Sequence, residues 1–221
     1  MEKYADFDSK NPWVARLWIN LPELLNQTEF NEINKQDIAN SIHDICEQLS
    51  IAFESLQKIK SDQNLTVLTK ESAFQNAYSA LWRAYSDRFQ TTCQKIGYDI
   101  GFLFEKNLKF EKDSIEFIKQ HPEIPDDFRK ILKIDRKIWQ NGFADFRNQY
   151  IEHKQISHSI KNVYYKLDML ESIFNNVWQA IEDSLAFFIN VKLLQPYVLE
   201  EIPEKIRDKS CPKRFKIKSK T

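Results

Sequence analysis

Three glycines in 221 residues, Gly97, Gly101 and Gly142, are too few for a protein built on tight turns. With only seven prolines beside them, the count argues against a hairpin-rich β architecture and against any glycine-rich phosphate loop. Cysteine is also scarce. Cys46, Cys93 and Cys211 are odd in number and scattered, with no pair at metal-ligand or redox spacing, so reduced packing residues are expected. Net charge is missing too: 32 Lys+Arg balance 32 Asp+Glu, which removes any global field toward nucleic acid or an anionic membrane. No window approaches the roughly 18 uninterrupted apolar residues of a membrane span, and the opening MEKYADFDSK lacks the apolar stretch of a signal peptide. The expectation is a cytoplasmic protein with no membrane partner.

What is present is apolar residues at helical spacing. Hydrophobic content of 42% suffices for one sizeable core. Asn11-Pro12 ahead of Trp13, Leu17, Trp18 and Leu21 predicts a short helix that Pro22 ends or bends. Ile38, Ile42, Ile45, Leu49, Phe53, Leu56 and Ile59 recur every three or four residues and predict a helix over about 31–60, with His43 flanking its stripe as a packing or surface residue. After a break at 61–69, with Thr69 or Ser72 as cap, Phe74 through Leu103 mark a long helix to about residue 106, in which Gly97 and Gly101 permit close helix approach. Residues 107–127 are an excursion containing a short helix at 114–120. A further helix opens near Phe128, and Gly142 kinks or breaks it. A final helix runs to about residue 194, where Pro196 stops it. These elements predict an all-α fold, an elongated up-and-down bundle of about four long helices with short accessory ones.

The domain division follows: a short N-terminal helix and lead-in over 1–30, a helical bundle over 31–195, and a proline-punctuated basic tail over 196–221. Residues 203–221 hold eight Lys/Arg against Glu204 and Asp208, a local +6, which leaves the rest of the chain at −6. Such a tail can contact phosphates, but its simpler reading is a solvated, frayed terminus.

One stretch combines residue types that do chemistry together, Phe146-Arg147-Asn148-Gln149-Tyr150-Ile151-Glu152-His153. Spacing by three puts Arg147, Tyr150 and His153 within roughly a 120° arc of an intact helix. An imidazole, titrating near neutrality, can take the proton from a ribose 2′-hydroxyl and return one to the leaving 5′-oxygen, while a guanidinium holds phosphate oxygens through parallel hydrogen bonds. Metal-free RNA cleavage needs both functions. The bland alternative is a solvated helix face with Arg147 paired to Asp145 or Glu152.

Arg147, a polar Asn148 and five residues in all before His153, placed ahead of a long closing helix in an otherwise helical chain, resemble the HEPN superfamily. Its hallmark is arginine, four to six residues, then histidine, with a polar residue favoured after the arginine. The resemblance covers roughly residues 31–195 and is closest to stand-alone bacterial members. At the position two beyond the histidine, where toxin-type members often carry tyrosine, this chain has Gln155. The resemblance implies a homodimer with two motifs facing one another, and a metal-independent endoribonuclease of defence or toxin-antitoxin-like systems. RNA would be the substrate and an antitoxin or other protein a partner. Carried over, Arg147 and His153 are catalytic, Asn148 and Tyr150 supporting, and no metal or cofactor is implied. Many such domains are instead non-catalytic RNA-binding, nucleotide-binding or protein-interaction modules, and that reading stays open beside the first.

Overall fold

The computed structural model describes residues 12–27, 34–62, 64–105, 109–146, 165–193, 196–206 and 213–219. These are mostly helical, and one two-stranded sheet accompanies the helices. Helix α1 (Pro12–Asn26) opens with proline at its first position, where a missing N–H costs nothing. It does not stop at Pro22. Leu21, Leu24 and Leu25 on either side are buried, and that packing outweighs the one backbone hydrogen bond that Pro22 cannot make.

Helix α2 (Lys35–Ser61) is capped by Asn34, whose side chain accepts from the Asp37 amide at 3.3 Å. Its stripe of Ile38, Ile42, Ile45, Leu49, Ala52 and Leu56 is buried as the periodicity requires. Helix α3 (Val67–Trp82) begins one turn earlier than expected. Thr66 is the cap and Thr69 supplies the amide it binds, at 3.2 Å.

The expected single helix to residue 106 ends sooner. α3 passes into a wider π-helical segment (Arg83–Arg88) and then into α4 (Phe89–Ile96). Gly97 closes α4 with φ of 103°, its amide bonding the Gln94 carbonyl while the Tyr98 amide reaches back to Cys93. Paired bonds of this kind satisfy the orphan carbonyls of a helix end and need a residue tolerant of the left-handed region. Ile100 and Leu103, read as continuing the stripe, are buried beyond the helix instead. Gly97 therefore terminates a helix; it does not ease a helix crossing. A Cβ at Gly97 would meet nothing nearer than the Lys192 side chain at 3.6 Å. The cost of Gly97→Ala is thus backbone strain alone, expected at about 1–2 kcal/mol in urea unfolding.

Helix α5 (Phe110–Gln120) precedes the proline turn, and a 3-10 turn (Asp126–Phe128) leads into α6 (Arg129–Gly142). Gly142 ends α6, so the expected break is realised, and a single helical turn (Ala144–Phe146) follows. Helix α7 (Leu167–Lys192) is the centre of the fold, touching α1, α2, α3, α4, α6 and the sheet. Residues 159–164, read as its first turns, lie outside the described residues.

The basic tail is not the frayed terminus expected of it. β1 (Tyr197–Glu201) pairs antiparallel with β2 (Phe215–Ser219), Leu199 opposite Ile217 and Glu201 opposite Phe215. Asn20 of α1, buried, docks this hairpin by reading its backbone: its Nδ2 donates to the Phe215 carbonyl at 2.9 Å, and its Oδ1 accepts from the Arg214 and Phe215 amides at 2.9 and 2.7 Å. A second amide, Asn190 of α7, accepts from the Leu199 amide at 2.7 Å. Side chains thus supply the ladder partners that a two-stranded sheet lacks at its edges.

Candidate functional site

Arg147, Asn148, Tyr150 and His153 lie outside the described residues. Phe146 and Tyr165 flank them. Phe146 is fully buried and packs on Tyr78 with ring centroids 4.9 Å apart. On the far side of the segment, Tyr165 stacks on Phe74 at 5.2 Å and 6°, and Gln75 donates to its hydroxyl at 2.9 Å. Phe74 and Tyr78 are four apart on α3 and so share a face. Phe146 and Tyr165 thus pack against that one face.

A second constellation was missed by sequence reasoning. Asp135 of α6 and Ser184 of α7 face each other in the seam between the two helices, the Ser184 hydroxyl donating to the carboxyl at 3.1 Å. Asp135 is only 2% exposed, and no cation among the described residues pairs with it. The Tyr85 hydroxyl, from the π-helical segment, donates to the Asp135 backbone carbonyl at 3.1 Å. Burial pushes the Asp135 carboxyl up to about 7, opposed by hydrogen bonds from Ser184 and Tyr85 and aided by nearby Asp183. Burial, with Asp135 close by, also raises the Tyr85 hydroxyl and the Cys93 thiol. Burial likewise raises Cys46, so both described cysteines are unreactive packing groups, as expected.

Because the folded-state value lies above the ordinary carboxyl value, the protonated acid is the form that folding favours. The Asp135 contribution is fully present below about pH 4 and is lost as the pH rises toward 7, a change on the order of 4 kcal/mol. Asp135→Asn keeps the shape and removes the titration. It is expected to raise stability at pH 8 by a few kcal/mol relative to the parent, with the difference shrinking toward zero at pH 4, measured by urea unfolding across pH.

The seam around Asp135 is hollow. A cavity of about 290 Å³ is lined by Ile131, Ile134, Ile138, Asp135, Asn176, Gln179, Ala180, Asp183 and Ser184. A second of about 460 Å³ shares Ile134, Ile138 and Asn176 and extends toward Lys137, Asn141 and Met169. Ile134 is 60% exposed at the junction of the two. The signal for Asp135 was in the sequence: Leu132, Asp135 and Trp139 follow helical spacing, so the acid interrupts an apolar stripe.

Four cations of the tail are paired. Arg214 reaches Glu182 at 2.5 Å, Asp183 at 2.6 Å and Glu201 at 2.8 Å. Burial opposes its charge, yet hydrogen bonds to Glu201 and Glu182 hold its pKa above the ordinary value. Lys213 pairs with Glu23, and Lys216 and Lys218 with Glu200.

His43 is partly exposed beside Glu47 at 3.7 Å, consistent with a surface residue. With Asp44 it forms, among the described residues, a group of three metal-type donors within 4.8 Å of one another on the open surface of α2. Among the described residues no helix is long and apolar enough to cross a membrane.

No family model matches the chain, and no curated protein or solved structure matches it either.

Proposed function

We propose that the chain is a metal-independent endoribonuclease of the HEPN type, built on an up-and-down helical bundle and acting as a homodimer on RNA in a bacterial defence or toxin-antitoxin-like setting. In this reading His153 moves protons between the ribose 2′-hydroxyl and the leaving 5′-oxygen. Arg147 holds the scissile phosphate and the charge that develops on it, and Asn148 and Tyr150 orient the pair. The observation that carries the reading is the spacing itself: arginine, a polar residue and a histidine six positions after the arginine, in a chain whose described residues are mostly helical. The residues that flank the motif, Phe146 and Tyr165, pack on Tyr78 and Phe74 of α3.

The test is cleavage of a mixed RNA pool in EDTA by the purified protein, beside folded Arg147→Ala and His153→Ala variants. Products ending in 2′,3′-cyclic phosphate that vanish with either substitution support the assignment. A folded dimer that cleaves nothing, or variants that cleave equally well, overturn it in favour of a non-catalytic RNA-binding or protein-interaction module.

A further inference from the structure

An ionised carboxylate is rarely buried without a partner, because moving it out of water costs several kcal/mol that only a counter-charge or a dense set of hydrogen bonds returns. Asp135 has only neutral hydroxyl donors, Ser184 and Tyr85, and no cation among the described residues, yet it forms part of a cavity wall. The groups facing it from the packed elements are Tyr85 and Cys93, both neutral, and Asp183 and Ser184 of α7. Asp183 is acidic but already holds Arg214 at 2.6 Å. On its own helix the neighbouring Arg136 points elsewhere, bonding the Leu103 carbonyl. The cavity therefore offers one uncompensated acid, a hydroxyl, and the amides of Asn176 and Gln179, against an aliphatic wall of Ile131, Ile134, Ile138 and Ala180.

We infer that this cavity binds a small aliphatic ammonium ion, with the charged head at Asp135 and Ser184 and the hydrocarbon chain along the isoleucines. An ammonium group brings three donors and no acceptor, matching a carboxylate, a hydroxyl and two amide oxygens. A divalent metal fits less well, since it demands six or more oxygens or a compact donor set and gains nothing from an aliphatic wall. At about 290 Å³ the space is at the small end of ligand sites and suits a chain of a few carbons. Lys137 lines the adjoining cavity, so a second ammonium at the far end of a longer chain meets a like charge. Monoamines are therefore favoured over diamines. Because bound cation and bound proton compete for Asp135, the site strengthens as the pH rises through neutrality. This inference does not depend on the ribonuclease reading.

The experiment is thermal unfolding of the full chain with n-butylammonium chloride at pH 8 and pH 5, with n-butanol, butane-1,4-diammonium and sodium chloride at matched ionic strength as controls. A saturable rise in Tm at pH 8 is expected, about 4 °C at ten times Kd. The response should be weaker with the diamine, and absent at pH 5, with butanol and with sodium chloride. Asp135→Asn, which keeps the side-chain shape, should abolish it. Ile134→Lys places a cation at the exposed mouth and should abolish it without touching the buried acid, so a folding defect in one variant does not obscure the result. No saturable rise at pH 8, an equal rise with sodium chloride, or an undiminished response in the folded Asp135→Asn protein overturns the site.

Discussion

His153→Ala is expected to lower the rate of RNA cleavage by about 10²–10⁴-fold, and Arg147→Ala by about 10²–10³-fold, with both proteins folded as judged by circular dichroism. The histidine figure is the usual worth of a positioned acid-base group in a reaction whose nucleophile and leaving group both need proton transfer. The arginine figure is what a single charge-stabilising contact contributes when negative charge grows on phosphate oxygens. If the two act in one step, the double variant falls hardly further than the worse single one, because removing either partner already disables the unit. Arg147→Lys keeps the charge but loses the two-pronged fork, so it should recover only part of the activity. EDTA should change nothing in the parent protein. In a dimer with facing motifs, mixing Arg147→Ala with His153→Ala chains is a further check: recovered activity would place the two residues of one site on different subunits. Activity surviving in both single variants would separate the cleavage from this motif altogether.

Glu182→Ala is expected to cost about 3–5 kcal/mol, a large share of the 5–15 kcal/mol that holds a typical domain together. Glu182 is 1% exposed and lies at the meeting point of three elements far apart in sequence. Arg16 of α1 donates to it through Nε at 2.6 Å and Nη2 at 2.5 Å, and Arg214, just before β2, donates through Nη1 at 2.5 Å. Alanine removes both hydrogen bonds that Glu182 accepts from the buried Arg16 guanidinium, which also lies 5.3 Å from the Trp178 ring. The Tm should fall by roughly 10 °C. Paired substitution of Arg16→Met with Glu182→Leu should cost clearly less than Glu182→Ala alone, since it removes both charges while refilling the volume. A double variant as unstable as the single one would mean that packing, not the stranded charge, accounts for the loss. Weaker hairpin protection in hydrogen exchange should accompany Glu182→Ala, because Arg214 then keeps Asp183 alone of its two partners on α7.

The two acids that organise the interior, Asp135 and Glu182, show where local reading stops. Each interrupts an apolar stripe at helical spacing, Leu132–Asp135–Trp139 and Trp178–Glu182–Leu185, so a buried position was visible in the pattern. What each acid does there was not. Glu182 is neutralised by an arginine 166 residues away, while Asp135 faces a serine and a hollow. The tail was misread for the same reason. Its density of Lys and Arg suggests solvation when counted alone, whereas Glu23, Glu182, Asp183, Glu200 and Glu201 meet those charges in the folded chain. Gly97 looked like a helix-crossing residue because an apolar stripe carries on past it, and only its positive φ shows a helix end.

Periodicity and glycine scarcity were enough to establish a mostly helical chain, the faces its helices bury and the Arg147–His153 spacing, because each depends on residues within a turn or two of one another. The central place of α7, the docking of the hairpin and the contrast between a paired Glu182 and an uncompensated Asp135 came only with the tertiary structure. A side chain's electrostatic fate depends on its partners and its distance from water, and both are set by elements the chain brings together from opposite ends.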